Sequence, residues 1–197
     1  KKYITEIKKN LRLKGFKKYK IILEPAKRNT APAILSSALI KEIPDNQPLI
    51  FLTSDHLIEK TNLFNKSIKK HQKYLTDKNI FIFGIKPSYP SSEFGYFLSK
   101  RVANKHKVSK FFEKPNLEKA KKIIKKKAYW NSGMFFLTKK SIINNFKKYQ
   151  NKNFNYCLNS VKKSKFKKNV YYLNKNNFLK CKSISFDYAI LEKSKDI

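Results

Sequence analysis

Four short, almost continuous apolar runs constrain this chain more than any other feature: YKIIL (19–23), PLIFL (48–52), NIFIFGI (79–85) and GMFFLT (133–138). Each has the length of a strand and is too short for a helix. An apolar run without alternation marks a strand covered on both faces. Between the runs lie segments with helical periodicity, at 30–42 and 58–75, so strand and helix alternate. The pattern predicts an α/β fold with a mixed, mostly parallel sheet and flanking helices. Thr30 is a suitable N-cap for the helix over 30–42, with Pro32 in its first turn. Further helices are expected over 1–11, 117–127 and 185–193, with two or three more after residue 139. Segments 96–102 and 106–112 read as a hairpin around Asn104-Lys105. The Asn/Lys-rich stretch 144–180 is the least ordered by composition. It still carries Phe146, Phe154, Tyr156, Leu158, Val161 and Phe166, which a pure linker would not need.

Length and composition bound the function. At roughly 150 residues per domain, 197 residues suit a single domain. Four glycines, in no GxGxxG or GxxxxGK[ST] pattern, exclude the dinucleotide-binding and P-loop fingerprints. Cys157 and Cys181 cannot form a disulfide framework and read as free thiols of a reducing, cytoplasmic compartment. No apolar run is long enough to span a membrane, and no signal peptide opens the chain. The 46 Lys and Arg against 13 Asp and Glu give a net charge of +33, which invites a nucleic-acid reading. The lysines, however, are spread along the whole chain, and only Arg12, Arg28 and Arg101 are arginine. Specific nucleic-acid recognition is therefore not expected, although polyanions should adhere at low salt.

Carboxylates are scarce, so those at expected strand ends stand out. Ligands of open α/β sheets bind beyond the carboxyl ends of the strands. Glu24-Pro25, Ser54-Asp55-His56 and Glu113-Lys114-Pro115 all fall at such ends. Asp55 reads equally as a helix cap or as a chemical group, whereas Asp187, near an expected helix start, reads first as a cap. In Trp130-Asn131-Ser132-Gly133, Trp130 suits the core. Asn131 has an amide for a sugar hydroxyl, and Gly133 allows a close backbone approach.

The segments EPAKRNTAPAI (24–34), SDHLI (54–58), GIKPSYPSSEFGYF (84–97), FFEKP (111–115), YWNSGMF (129–135) and FDYAILEK (186–193) occur in this order. With them the chain resembles the mannose-1-phosphate guanylyltransferases, a branch of the sugar-nucleotidyltransferase family. The resemblance implies a Rossmann-like nucleotidyltransferase (GT-A-like) fold and transfer of GMP from GTP to mannose 1-phosphate. GDP-mannose and pyrophosphate would be the products, with Mg²⁺ as cofactor. It implies Asp55 and Asp187 as metal carboxylates and Lys114 as a catalytic cation. Gly95, Glu113 and Asn131 would bind the hexose. Glu24, Arg28, Asn29, Thr30 and Ser54 would bind the nucleotide, with Glu24 accepting from a guanine edge. It also allows an oligomer in the complete protein.

The family opens with a loop of the form GGxGTRLWPLS, which this chain does not contain. Residues 1–197 are accordingly expected to be one partial domain, truncated at both ends and inactive alone. Thr53 stands where the family usually has Pro, Lys27 where Gly is common, and Glu93-Phe94-Gly95-Tyr96 in place of GYGY. Two other readings are carried: a polyanion- or nucleic-acid-binding α/β protein without catalysis, and a nucleotidyltransferase for another sugar phosphate.

Overall fold

The computed structural model describes residues 3–103 and 105–197. The expected turn residue Asn104 therefore lies outside the described residues. Strands and helices alternate through most of the chain, in the order α1 (Ile4–Leu13), β1 (Ile21–Leu23), α2 (Thr30–Ala38), β2 (Pro48–Phe51), α3 (Thr61–Gln72) and β3 (Phe81–Ile85). Then come β4 (Tyr96–Val102), β5 (Lys105–Phe112), α4 (Leu117–Lys125), β6 (Tyr129–Thr138), α5 (Lys139–Tyr149) and α6 (Asn151–Lys162). The chain closes with β7 (Lys165–Lys167), β8 (Val170–Tyr172), α7 (Lys175–Phe178) and a π-helical turn, Asp187–Leu191. No helix of the described residues is long and apolar enough to cross a membrane.

The larger sheet is organised by β6. Phe136 pairs with Ile50 on one side and Phe81 on the other, while Trp130 pairs with Ile85 and Tyr96. So β3 runs along one edge of β6, and β2 and β4 lie end to end along the other. The β4–β5 hairpin has the expected limits. The mixed α/β class holds, but the mostly parallel pairing does not. Among the described residues only β1–β8 is a parallel ladder, and all pairings of β6 are antiparallel. β2 and β3 do run in the same direction, but a reversed strand lies between them. An apolar run records burial on two faces and says nothing about direction.

The main core lies between this sheet and the helices. Ala31, Ile34, Leu35 and Ala38 of α2 pack with Phe135 and Leu137 of β6, with Ile142 and Phe146 of α5, and with Phe154, Cys157 and Val161 of α6. The stretch 144–180 is thus ordered and lends Phe146, Phe154 and Phe178 to the core, contrary to its composition, while Phe166 stays exposed. Phe186 is fully buried, its ring 4.6 Å from Phe135 and 6.1 Å from Phe146. A second, smaller core forms on the other face of the β4–β6 end. There Tyr96, Ala120, Ile123 and Ala128 pack with Phe112 and Trp130.

Candidate active site

The site is assembled by strand register. Tyr96 pairs with Phe112 of β5 and Trp130 of β6, so their side chains share the face that packs on α4. Side chains alternate along a strand. The neighbours Gly95, Glu113 and Asn131 therefore share the opposite face. The Asn131 N–H donates to the Gly95 carbonyl at 2.8 Å. A Cβ on Gly95 would stand 2.6 Å from Glu113 Oε2 and 3.5 Å from Asn131 Cβ. The end of the Glu113 side chain lies over Gly95, so a side chain at position 95 would displace that carboxylate.

On the reverse face Trp130 holds the preceding loop, its ring 5.1 Å from Tyr89 and 4.9 Å from Phe94. The Tyr96 hydroxyl donates to the Ser91 carbonyl at 2.9 Å and accepts from the Ser91 N–H. Trp130 is a core residue, as expected, and it fixes the loop that delivers Gly95.

Asn131 owes its direction to an irregularity in β6. Ile82 pairs with Phe135 but Gly84 pairs with Asn131, so β6 carries extra residues around Ser132–Met134. Such bulges bend a strand and re-aim its side chains. Gly133 sits there with φ +70°, a left-handed conformation that glycine adopts without a side-chain clash. Its N–H donates to Asn131 Oδ1 at 3.3 Å, and Asn131 Nδ2 donates to Asp187 Oδ1 at 2.6 Å. Asp187 begins the π-helical turn directly after the buried Phe186. Its side chain is engaged across the cleft with Asn131 rather than spent on capping the turn.

Burial dominates the electrostatics. It pushes the Glu113 carboxyl up to about 7; the charges of Asp187 and Glu192 add to the rise, and Lys114 opposes it. Burial also raises Asp187, against the pull of its backbone and Asn131 hydrogen bonds and of Lys114. Glu113, Lys114, Asn131 and Asp187 thus form one interacting cluster. Lys114 is held at φ +43°, strained for a residue with a side chain.

Residues 24–30, expected from the sequence to meet the nucleotide, border this cluster through the Thr30 contact with Phe186. Arg28 Nη2 donates to the Leu179 carbonyl at 2.7 Å, while its Nε is buried without a partner. The Asn29 side chain, at φ +64°, caps α2 by accepting from the Thr30 N–H. Thr30 is therefore not the cap. Its hydroxyl accepts from the Phe186 N–H at 2.8 Å. Glu24 Oε1 is buried without a partner, and burial pushes its carboxyl up to about 7. An unpaired buried carboxylate oxygen is costly, and burial therefore favours the protonated form.

Ser54 and Asp55 lie apart from this network. Both are exposed, and neither makes a hydrogen bond or ion pair among the described residues. Their link to the site is Thr53, whose methyl would lie 3.5 Å from a Cβ on Gly133. Among the described residues no group of three or more His, Cys, Asp or Glu is arranged to hold a metal ion. Of the two expected metal carboxylates only Asp187 lies in this network; one carboxylate, completed by phosphate oxygens and water, is still a donor type that suits Mg²⁺.

Sequence reasoning missed the pairing of the two thiols. Cys157 and Cys181 are buried with their sulfurs 3.5 Å apart. The hydrogen bond between them raises Cys157 and lowers Cys181, and the charge of Arg28 lowers Cys181 further. Twenty-four residues separate them, and no local spacing signals such a contact.

The mixed α/β sheet thus brings Glu113, Lys114, Asn131 and Asp187 together, while Glu24, at the end of β1, keeps an unpartnered carboxylate oxygen. The chain belongs to the nucleotidyl transferase family, whose pattern it matches over residues 2–178. It is 36% identical over 186 residues to a mannose-1-phosphate guanylyltransferase of Escherichia coli, covering 89% of this chain and 40% of that protein. The chain thus spans about 40% of the length of the curated relatives it matches. Among solved structures, the Helicobacter pylori mannose-6-phosphate isomerase superposes with a TM-score of 0.88 and 27% identity, over all of this chain and 77% of that one. A Thermus thermophilus protein described as a mannose-1-phosphate geranyltransferase superposes with a TM-score of 0.74 and 22% identity. It covers 88% of this chain and 50% of that one, a likeness of fold alone.

Proposed function

We propose that the protein transfers GMP from GTP to mannose 1-phosphate, giving GDP-mannose and pyrophosphate, in the cytoplasm. The observation that carries this reading is the convergence of Gly95, Glu113, Asn131 and Asp187 on one cleft, in a chain 36% identical to a mannose-1-phosphate guanylyltransferase. The names of the E. coli relative and the H. pylori neighbour also agree on a mannose phosphate.

In this reaction the sugar phosphate attacks the α-phosphorus of the nucleotide in line, and pyrophosphate leaves. Positioning and charge neutralisation do most of the work. Glu113 and Asn131 orient the hexose through its hydroxyls. Lys114 faces the phosphate of the nucleophile and offsets its charge beside the carboxylates. Glu24 accepts from the two N–H groups of a guanine edge, which distinguishes guanine from adenine by charge-assisted hydrogen bonds. Arg28, Asn29 and Thr30 flank the nucleotide at the start of α2, and Ser54 meets it from the exposed segment after β2. Asp55 and Asp187 would hold Mg²⁺, which when bound neutralises phosphate charge.

The test is pyrophosphate release by the protein at its natural length, with GTP, ATP, UTP and dTTP against mannose 1-phosphate and glucose 1-phosphate. The reading expects the GTP and mannose 1-phosphate pair to have the highest kcat/KM. A preference for another pair would retain the class and replace the substrates.

A further inference from the structure

We propose that Asn131 is a positioning residue for Asp187, holding that carboxylate in the orientation in which it takes a divalent cation. The inference rests on the reading of Asp187 as a metal carboxylate given above. It assigns Asn131 a task beyond contact with the sugar.

Asn131 is held at three points. Its N–H donates to the Gly95 carbonyl at 2.8 Å, its Oδ1 accepts from the Gly133 N–H at 3.3 Å, and its Nδ2 donates to Asp187 Oδ1 at 2.6 Å. The middle contact decides the outcome. An amide can present either its oxygen or its nitrogen to a neighbour, and an oxygen turned towards Asp187 would repel it. The Gly133 N–H binds the oxygen and so turns the NH₂ to the carboxylate. That N–H is available because Gly133 adopts φ +70° within the β6 irregularity. The bulge, the glycine and the asparagine together make one device whose end product is the orientation of Asp187. The bond is short, as charge-assisted bonds are. It spans 56 residues of sequence and joins a strand to the first residue of the π-helical turn.

The second side of Asp187 is fixed by the chain itself. Phe186 is buried against Phe135 and Phe146, and its N–H is held by Thr30. The backbone of Asp187 is thereby anchored, and Asn131 is the side chain that fixes its carboxylate. Hydrogen-bond partners that orient a metal-binding carboxylate commonly govern metal affinity although they never touch the ion. One NH₂ hydrogen of Asn131 remains for a sugar hydroxyl, so the residue links the hexose pocket to the metal carboxylate.

The test uses the protein at its natural length with Mn²⁺ alone as the probe, titrated by EPR, without substrates or turnover. Asn131→Ala and Asn131→Ser are compared with wild type and Asp187→Asn, after circular dichroism has checked folding. The serine variant keeps a small polar residue in the strand should the alanine variant fail to fold. Expected is a loss of about 10–100-fold in Mn²⁺ affinity in both Asn131 variants. Asp187→Asn should lose at least as much. Should Asn131 serve the sugar alone, its variants would raise the KM for mannose 1-phosphate and leave Mn²⁺ affinity unchanged, which overturns the inference while keeping the metal reading. Wild-type protein without Mn²⁺ binding, or an Asp187→Asn variant that binds like wild type, would overturn the metal reading and the inference with it.

Discussion

Thr30 and Phe186, 156 residues apart, are joined by a 2.8 Å hydrogen bond from the Phe186 N–H to the Thr30 hydroxyl. The bond ties the loop before α2 to the residue that precedes Asp187. The strap continues on either side. The Ala31 N–H donates to the Ile184 carbonyl at 3.1 Å, and the Ile184 N–H to the Arg28 carbonyl at 3.3 Å. The segment entering the π-helical turn is therefore read off the loop before α2. Removing the hydroxyl leaves a backbone donor unpaired. Thr30→Ala should cost about 1–2 kcal/mol in urea denaturation, and Thr30→Ser should recover most of it.

Gly95→Ala should be disproportionately harmful for so small a change. Its methyl would land 2.6 Å from Glu113 Oε2, so the carboxylate must leave its position. The expected result is a rise in the KM for mannose 1-phosphate by about tenfold or more, the scale of losing one charged hydrogen bond, with the KM for GTP little changed. Equal loss on both substrates would separate Gly95 from the sugar pocket.

The raised carboxyls give stability a defined pH dependence. Glu24 and Glu113 titrate at about 7 in the folded chain, against 4.5 ordinarily. Between those values the folded state binds more protons than the unfolded one. Stability from these groups is greatest below about 4.5 and declines as pH rises towards 7. Glu113→Gln, neutral at every pH, should flatten that decline in denaturation curves measured from pH 5 to pH 8. An unchanged slope would place the Glu113 carboxyl in water.

Glu24 offers a separate handle on the base. Glu24→Gln exchanges a pure acceptor for a group that presents a donor as well. The GTP over ATP preference in kcat/KM should fall by about tenfold or more. If it does not, the base is read elsewhere. Adhesion to nucleic acids through the net charge of +33 should fall steeply with salt and show no such base preference.

The two cysteines supply a prediction independent of substrate. Cys157 is fully buried and Cys181 nearly so. In the native protein neither should react rapidly with a thiol reagent such as DTNB, and both should react once the chain is unfolded. Fast native labelling of Cys181 would show that the segment around it opens readily.

Sequence made the strands legible because their apolar runs record burial, but strand direction leaves no trace in such runs. β6 is longer than its apolar part, 133–138, because Tyr129–Ser132 alternates between the α4 face and the cleft. The β7–β8 hairpin escaped notice in a lysine-rich stretch. Its turn places Lys168 and Asn169 at φ +48° and +64°, a conformation usually signalled by Asn-Gly. β8 becomes a strand through its parallel ladder with β1, a contact remote in sequence. The candidate site divides in the same way. Glu113, Asn131 and Asp187 stood out by motif order, and the structure brings them together. The Asn131–Asp187 bond and the partnering of Phe186 with Thr30 depend on tertiary placement that no local pattern encodes. The helix expected over 185–193 forms only as a π-helical turn at Asp187–Leu191. That turn places the Glu192 N–H 3.0 Å from the Asp187 carbonyl.

The most direct test of the central claim is identification of the product by mass spectrometry. The protein at its natural length is incubated with GTP, mannose 1-phosphate and Mg²⁺, beside its Asp187→Asn variant. The account predicts GDP-mannose and equimolar pyrophosphate from the wild type, and at least about a hundredfold less from the variant, the scale of removing one preorganised electrostatic group. Wild-type protein that forms no nucleotide sugar, or a variant that forms it at the wild-type rate, would contradict the account.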